Sequence, residues 1–186
     1  MFPPSQLASF QTIRLSLADA PRLHPLLEAC EDYFLMITGE GAGPQEAESE
    51  LASLPPGKTL DEKFFIGLQK PEGKLVGVLD VVKDYPEPGI WYLGLLLLHP
   101  AERAKGLGAS LHAQLCESLR EHGGQAIRLG VLEQNEKALR FWERMGYREL
   151  ERKPFKAGSL PHTVRVLQRG LEPEKAKGPP LSGGPG

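Results

Sequence analysis

The sequence predicts an α/β fold in which helices cover a mixed β-sheet. Along its 186 residues, hydrophobic patterns follow the order strand, two helices, three strands, helix, strand, helix and two strands. The segment Ile90–Leu98 has nine almost entirely apolar residues, as expected for a central strand that is covered on both faces. Soon after it the period changes to a leucine at every fourth residue, which is typical of one helix face. These features predict a single layered α/β domain.

Seven segments have the alternating or continuous apolar character of strands. In the first segment, Ile13, Leu15 and Leu17 alternate with polar residues. A turn at residues 71–74 separates the second segment from the third and predicts a hairpin. The predicted strands are residues 12–17, 64–69, 75–83, 90–98, 126–132, 147–153 and 162–169.

Four segments have the apolar spacing of helices. Asp19 is suited to cap the first helix, and Pro21 fits its first turn. The predicted helices begin near residues 20, 45, 106 and 135, and they end before residues 38, 55, 122 and 146, where glycine or proline follows. From Leu171 onward the chain is rich in proline, glycine and charge. We therefore expect residues 1–170 to form the domain and residues 171–186 to form a flexible tail.

Composition and charge narrow the classes of partner. The net charge of −2 provides no basic field for nucleic acid or an anionic membrane. No apolar run has the length of a membrane span, and the N-terminus lacks the pattern of a signal peptide. Cys30 and Cys116 fall in helical patterns, so we expect reduced thiols and a cytoplasmic protein. The five histidines show no paired ligand spacing, so we expect no metal site.

A turn with two glycines joins the central strand to the following helix. In the segment PAERAKGLGASLHAQL, residues 100–115, Pro100 ends the strand, and Gly106 and Gly108 open the helical pattern. The first turn of a helix exposes unpaired N–H groups, and glycine lets a phosphate approach the backbone. With Arg103 and Lys105 nearby, the turn is suited to bind a diphosphate. The alternative is an ordinary strand-to-helix turn that uses glycine for its geometry.

Two familiar phosphate loops do not fit this spacing. The Walker pattern needs a lysine directly after its last glycine, whereas here the lysine precedes the glycine. The dinucleotide pattern needs a third glycine where Leu111 stands. The remaining pattern, Arg103-x-x-Gly106-x-Gly108, resembles the R/Q-x-x-G-x-G/A signature of the GNAT superfamily of acyl-CoA N-acyltransferases.

A second motif supports the same resemblance. The segment NEKALRFWERMGYRE, residues 135–149, is similar to the family pattern N-x-x-A-x-x-x-Y-x-K/R-x-G-F/Y. The residues in register are Asn135, Ala138, Arg144, Gly146 and Tyr147. The likeness covers roughly residues 10–170. It implies a three-layer sandwich whose mixed, mostly antiparallel sheet has a central pair of parallel strands, 90–98 and 126–132, that splay apart.

The resemblance also implies a site for acetyl-CoA, the acyl donor. Main-chain groups at the splayed strands would meet the pantetheine arm, and the glycine turn would hold the diphosphate. Asn135 would bind near the arm, cap its helix, or do both. Trp142 would contact the cofactor or pack in the core. The residues implied for acetyl-CoA are Leu96, Leu98, Arg103, Ala104, Lys105, Gly106, Leu107, Gly108, Ala109, Asn135 and Trp142.

The chain departs from the family pattern at the catalytic positions. Many members have a proton-donating tyrosine seven residues after the asparagine, but this chain has Trp142, whose indole cannot act as a general acid near neutral pH. The central strand also lacks the carboxylate that many members use as a base. Tyr92 on that strand is our candidate to donate a proton or to order a water, and a buried core aromatic is the alternative. His99 has a suitable ordinary pKa, but it lies at the strand end.

The end of the first predicted helix provides the candidates for acceptor binding. Glu28, Asp32 and Tyr33 precede the glycine-rich loop, in a region that commonly borders the acceptor pocket in this family. Two acids four residues apart share a helix face and would attract an ammonium group. The alternative is a solvated acidic face without a binding role.

The predicted function is transfer of an acetyl group from acetyl-CoA to a primary amine, most simply that of a small molecule. A protein N-terminus or lysine is an alternative acceptor. A non-catalytic acyl-CoA-binding module is a further alternative, because the usual proton donor and carboxylate are missing. We expect acetyl-CoA and an amine as partners, and no nucleic acid or membrane. The oligomeric state stays open, with a homodimer as one option.

Overall fold

The computed structural model describes residues 6–7, 10–158 and 160–171. Its strands are β1 (Gln6–Leu7), β2 (Phe10–Arg14), β3 (Lys63–Gln69), β4 (Leu75–Val82), β5 (Ile90–Leu98), β6 (Ala126–Leu132), β7 (Arg148–Ala157) and β8 (Leu160–Gly170). Its α-helices are α1 (Ala20–Ala29), α2 (Glu31–Thr38), α3 (Glu46–Ala52), α4 (Leu107–Glu121) and α5 (Glu136–Arg144). Within these ranges, no helix is long and apolar enough to cross a membrane.

The strands form one sheet in the order β1-β2-β3-β4-β5-β6-β8-β7. All neighbours are antiparallel except β5 and β6, which are parallel. The parallel pairing runs only from Ile90 opposite Ala126 to Leu93 opposite Leu129. Beyond it, β5 stays paired with β4 and β6 stays paired with β8, so the two strands diverge. The predicted mixed sheet with a splayed central pair is confirmed.

A single extra residue in β5, Gly94, separates the paired part of the strand from the splayed part. Asp80 of β4 lies opposite Leu95 and Val81 lies opposite Leu93, so Gly94 has no partner on β4. This β-bulge reverses the faces that the side chains occupy, because Leu93 packs in one core and Leu95 packs in the other. A Cβ at position 94 would lie 3.0 Å from Asp80 Oδ2, which explains the glycine.

The sheet separates two hydrophobic cores, as the predicted three-layer sandwich requires. On one face, α4 contributes its leucine stripe and α5 adds Leu139 and Trp142. On the other face, α1, α2 and α3 contribute residues that include Leu27, Phe34 and Leu51. Each of these side chains gains roughly 1.5–3 kcal/mol when it is fully buried. The middle strands therefore need apolar side chains on both faces.

The first predicted helix is in fact two helices. The helical path breaks at Cys30, whose backbone has φ −98° and ψ 31°, and α2 begins directly after it. Cys30 and residues of both helices, such as Leu26 and Phe34, pack in the same core. The apolar spacing therefore continues across the break, and periodicity alone did not reveal it.

Both ends of the domain also differ from the prediction. Strand β2 ends at Arg14, and Leu17 is 50% exposed in a short 3-10 turn rather than on a strand. Asp19 accepts hydrogen bonds from Ser16 in that turn and does not cap α1 with its side chain. Leu171, which we assigned to the tail, is buried in the core. The rest of the predicted tail lies outside the described residues.

One core contains a buried polar side chain. His112 of α4 is 2% exposed, and its Nε2 lies 2.9 Å from the hydroxyl of Tyr147. Its ring also contacts Trp142 edge-on, with 5.6 Å between the ring centroids. Burial, together with the charge of Arg169, lowers the pKa of His112 to about 4. His112 is therefore neutral at pH 7, and the core accommodates only this neutral form.

We predict that mild acid destabilises the protein through His112. The unfolded chain binds a proton near the ordinary pKa of 6.5, whereas the folded chain does so only near 4. The stabilisation is complete above pH 6.5 and is lost as the pH falls toward 4, since the unfolded state then binds more protons. Between pH 7 and about 4.5, His112 should lower the free energy of unfolding by about 2 kcal/mol.

Urea denaturation at the two pH values checks this prediction. The matched variant is His112→Gln, which cannot titrate but can still bond to the hydroxyl of Tyr147. The variant should lose less stability in acid than the unmodified protein does. An equal loss in both proteins would show that His112 is not responsible.

Candidate active site

A cavity of about 580 Å³ lies at the gap between β5 and β6. Its wall combines residues of α5, on one face of the sheet, with residues of α2 and α3 on the other face. Gly94 of β5 and Gly130 of β6 also line it, at the level where the two strands are no longer paired. A ligand can therefore extend through the sheet from one helical layer to the other.

The backbone of β5 presents polar groups to this gap. The N–H of His99 donates to the carbonyl of Val76 in β4 at 2.8 Å. Because successive strand residues direct their N–H and C=O groups to opposite sides, those of Leu96 and Leu98 point away from β4. The carbonyl of Leu98 already accepts a hydrogen bond from Arg103 Nε at 2.8 Å. Leu96 lines the cavity, and its main-chain groups face the unpaired side of the strand.

The glycine turn forms an open cradle at the N-terminus of α4. Ala104 and Gly106 have positive φ values of 60° and 80°, which curl the chain just before the helix begins. The first helical bond runs from the N–H of Ser110 to the carbonyl of Gly106, so the amides of residues 107–109 have no acceptor within the helix. A Cβ at Gly106 would meet no atom within 4 Å. An anion therefore has both donors and space here.

The two cations that we predicted beside the cradle have partners of their own. Arg103 forms a bidentate ion pair with Asp32 of α2, in which Nη2 lies 3.1 Å from Oδ1. The hydrogen bonds from Arg103 hold the pKa of Asp32 below its ordinary value. Lys105 Nζ lies 3.2 Å from Glu102. Arg103 is thus not the free donor that we expected, and the donors of the cradle are main-chain amides.

Asn135 and Trp142 connect the cavity to α5. Asn135 Oδ1 accepts a hydrogen bond from the N–H of Ala138 at 3.1 Å, so it caps the helix, and it also lines the cavity. Trp142 is 7% exposed and packs edge-on against Phe141 and Tyr147. Trp142 also lines the cavity. Asn135 is therefore a cap at the cavity wall, and Trp142 is a core residue that also faces the cavity.

The three predicted acceptor-side residues separate into two groups. Tyr33 lines the cavity. Glu28 pairs with His24 at 3.3 Å and its side chain is 60% exposed, while Asp32 pairs with Arg103. Neither acid lines the cavity. The two acids of the predicted acceptor-binding face are therefore partly exposed, and their ion pairs lie outside the cavity.

Tyr92 lies on the α2 and α3 side of the gap and reaches across it. Trp91 and Leu93 pack in the opposite core, so alternation places Tyr92 on this face. A Cβ at Gly130 of β6 would lie 3.2 Å from the Tyr92 hydroxyl, and the ring of Tyr85 packs edge-on against that of Tyr92. Burial, with a further effect from Tyr85, raises the pKa of Tyr92. Its hydroxyl is therefore protonated at neutral pH and can donate.

Sequence reasoning missed an acid in the cavity wall, Glu50 of α3. Burial and the charges of Glu46 and Asp80 raise the pKa of Glu50 to about 7, against the opposing effect of Lys63. The segment EAESELA is typical of a solvated helix face, and so it attracted no attention. The available signal was spacing, because Glu50 follows the buried Ala47 by three residues and therefore lies on the same side of the helix.

A buried ion pair supports this wall. Lys63 Nζ lies 3.0 Å from Asp80 Oδ2, and it also donates to the carbonyls of Glu50 at 2.8 Å and Ser53 at 2.6 Å. Asp80 Oδ1 has no hydrogen-bond partner among the described residues. Burial raises the pKa of Asp80, and Lys63 opposes that shift. The pair connects β3 and β4 to the C-terminal end of α3.

The hairpin of β7 and β8 closes the outer side of the cavity against α2. His162 Nε2 lies 2.6 Å from the carbonyl of Ile37, and Gln134 Nε2 lies 2.7 Å from His162 Nδ1. Pro154 and Phe155 of β7 line the cavity beside α2. This contact holds the hairpin against α2 beside the partly open cavity.

A family model matches the part of the chain that contains both sequence motifs. The model of the acetyltransferase (GNAT) family matches residues 25–147, which include the glycine turn and Asn135. The chain belongs to the GNAT family of acetyltransferases. No curated protein matches its sequence. In this GNAT protein, residues of the first motif form the glycine turn, and Asn135 of the second motif caps α5.

Solved structures of GNAT proteins share the fold at low identity. An acetyltransferase from Thermus thermophilus superposes with a TM-score of 0.72 at 23% identity, covering 89% of this chain and 99% of that one. Spermidine N-acetyltransferase from Vibrio cholerae, in complex with CoA and spermine, gives 0.66 at 15% identity, covering 89% and 97%. The ribosomal-protein-S18-alanine N-acetyltransferase from Escherichia coli gives 0.63 at 14% identity, covering 90% and 97%. Their acceptors differ, so these likenesses establish the fold and not the acceptor.

We predict that Lys63→Met strongly destabilises this GNAT domain. The change leaves Asp80 buried without its cation and removes two hydrogen bonds from the end of α3, so the free energy of unfolding should fall by about 3–5 kcal/mol. Urea denaturation measures the loss. Lys70→Met, which breaks a more exposed pair with Glu102, is the matched control and should cost less than about 1 kcal/mol. Similar losses in both variants would contradict the structural role of Lys63.

Proposed function

We propose that this GNAT protein transfers an acetyl group from acetyl-CoA to the primary amine of a small molecule. Members of the family use acyl-CoA, and the proposal narrows the donor to acetyl-CoA and the acceptor to a small amine. The observation that supports it is the cavity at the strand gap, whose wall includes Leu96 and Asn135 for the CoA arm, and Glu50 and three tyrosines for the acceptor.

On the donor side, the main chain does most of the binding. The amides of residues 107–109 would hold the diphosphate, and the main-chain groups of Leu96 would bond to the extended pantetheine arm. Asn135 and Trp142 would contact the arm at the level of α5. Gly106 leaves the space that the phosphates need. The thioester would then reach the gap beside Gly94.

On the acceptor side, the contact between the β7–β8 hairpin and α2 favours a small molecule over a protein. The bond between His162 and the carbonyl of Ile37 narrows the space between the hairpin and α2 that an extended peptide would need. Three tyrosines, Tyr33, Tyr85 and Tyr92, line the cavity together with Glu50. Aromatic faces and a carboxylate both attract an ammonium group. A protein terminus or a lysine would require this hairpin contact to open.

The proposed reaction uses Tyr92 as the proton donor in place of the usual tyrosine. The free amine attacks the thioester carbonyl carbon, a C–N bond forms and the C–S bond breaks. Tyr92 protonates the departing thiolate of CoA, and the phenolate then takes the proton that the new amide nitrogen loses. The raised pKa of Tyr92 keeps the donor protonated before the reaction. Holding amine and thioester together in one cavity contributes the remaining acceleration.

The test of this proposal is calorimetric titration with acetyl-CoA and with CoA. An assay of thiol release with a panel of amines follows. Binding with release on small primary amines would support it. Release only with peptides would favour the protein acceptor instead. Binding without release on any acceptor would favour a non-catalytic acyl-CoA-binding module.

We predict that Gly108→Trp abolishes detectable binding of acetyl-CoA while the fold remains. Modest side chains fit at this position, since a Cβ there would lie 3.6 Å from Leu98 and Phe141, but an indole would fill the cradle. Calorimetry measures the affinity and circular dichroism checks the fold. Ala113→Trp, at an exposed position one turn further along α4, is the control and should bind acetyl-CoA normally. Unchanged affinity in Gly108→Trp would place the diphosphate elsewhere.

We predict that Tyr92→Phe lowers kcat by about 10²-fold and leaves KM for acetyl-CoA nearly unchanged, because only proton donation is lost. Tyr85→Phe, a neighbouring phenol in the same cavity, is the comparison and should lose much less. Steady-state kinetics with a reactive amine measures both. If Tyr92→Phe turns over as fast as the unmodified enzyme, Tyr92 is only a core aromatic.

A further inference from the structure

The side chain of Glu50 is partly buried at the cavity wall, and no ion pair to its carboxylate is found among the described residues. The nearby cation, Lys63, has three N–H donors, and these go to Asp80 and to the carbonyls of Glu50 and Ser53. No proton of the ammonium is left for the Glu50 side chain. Across the described residues, the structure gives that carboxylate no hydrogen bond to another side chain. A carboxylate that faces a cavity and has no side-chain partner can accept hydrogen bonds from a ligand.

Charged and titratable groups surround Glu50 on each side. Glu46 precedes it by one turn of α3, Asp80 and Lys63 approach from β4 and β3, and Tyr33 faces it from α2. Helix α1 packs on α3 through apolar side chains. The groups that share the cavity wall with Glu50 are Tyr85, Tyr92, Arg128, Glu151 and Lys153. Arg128 pairs with Glu87 and Lys153 with Glu151, so both cavity cations already have partners.

We propose that Glu50 is the general base of the reaction and receives the proton of the acceptor ammonium. This inference rests on the proposed function. The position supports it, because Glu50 and Tyr92 line the same cavity, and Tyr92 reaches across the gap where the thioester would lie. The ammonium supplies the hydrogen-bond donor that the carboxylate lacks. Lys63 keeps α3 in place without pairing with its acid.

The proton steps balance with these two residues. The acceptor enters as R–NH₃⁺, and one N–H bond breaks as the proton moves to the carboxylate of Glu50. The resulting amine attacks the thioester, and the thiolate leaves with the proton of Tyr92. The second amine proton returns to Tyr92, and Glu50 releases its proton to solvent after the amide departs. The products are R–NH–acetyl, CoA–SH and one proton.

The test is the pH dependence of kcat/KM for Glu50→Gln, with acetyl-CoA and a simple primary alkylamine. At pH 7 the variant should lose about 10²–10³-fold in kcat/KM while the KM for acetyl-CoA stays the same. The unmodified enzyme should reach a plateau near pH 7, where Glu50 ionises. In the variant, kcat/KM should instead rise tenfold per pH unit toward the pKa of the amine, because only amine already deprotonated in solution can react.

Two other glutamates of α3 provide matched controls. Glu48 is exposed, and Glu48→Gln should match the unmodified enzyme at every pH. Glu46 raises the pKa of Glu50, so Glu46→Gln should remain active. Its acid limb, the fall of kcat/KM below the plateau, should move to lower pH. Glu50→Asp should keep the acid limb at reduced rate, which a merely structural role would not produce.

The outcomes separate this inference from the proposed function. An active enzyme whose Glu50→Gln variant keeps the plateau, or loses the same factor at every pH, overturns the assignment of Glu50 alone. If the unmodified enzyme binds acetyl-CoA but acetylates no amine in the panel, the proposed function and the assignment of Glu50 are both overturned.

Discussion

The structure depends on one constraint in the middle of the sheet. β5 must leave β6 after a short parallel pairing and yet stay paired with β4 as far as Leu98. The extra residue at Gly94 meets this requirement, because it shifts the register with β4 by one residue and turns the next side chains to the other face. Leu95 then packs beneath α1, and the main chain of Leu96 faces the gap. The cavity follows from that single residue.

The buried pair of Lys63 and Asp80 couples this bulge to the wall of the cavity. Asp80 Oδ2 lies where a side chain at position 94 would have to pass, and the same oxygen accepts the bond from Lys63. Lys63 then bonds to the carbonyls of Glu50 and Ser53 at the end of α3. The position of Glu50 is thus fixed to the sheet through its backbone, and its carboxylate is left without a partner. A buried charge pair usually adds little net stability, so its contribution here is positional.

The order and type of most elements were predictable, because hydrophobic period reports which faces are buried. The break at Cys30 was not, since one core continues across both helices. Arg103 and Asp32 are 71 residues apart, and only the folded chain shows that they pair with each other. Glu50 was hidden for the same reason, because its neighbours Lys63 and Asp80 come from other strands. The bulge at Gly94 was predictable from the sequence, since an isolated glycine in a strand often marks a bulge.

The tryptophan at position 142, where many family members have tyrosine, and the lack of a carboxylate in the central strand have one physical explanation. Trp142 packs among His112, Phe141 and Tyr147, in an aromatic core that keeps His112 neutral and leaves little scope for proton transfer. The opposite face of the gap is different, because its tyrosines and its acid combine burial with access to the cavity. There, a raised pKa keeps the phenol of Tyr92 protonated, and the pKa of Glu50 rises to about 7. In the proposed reaction, acid and base both act from the α2 and α3 side, so the indole on α5 needs no part in proton transfer.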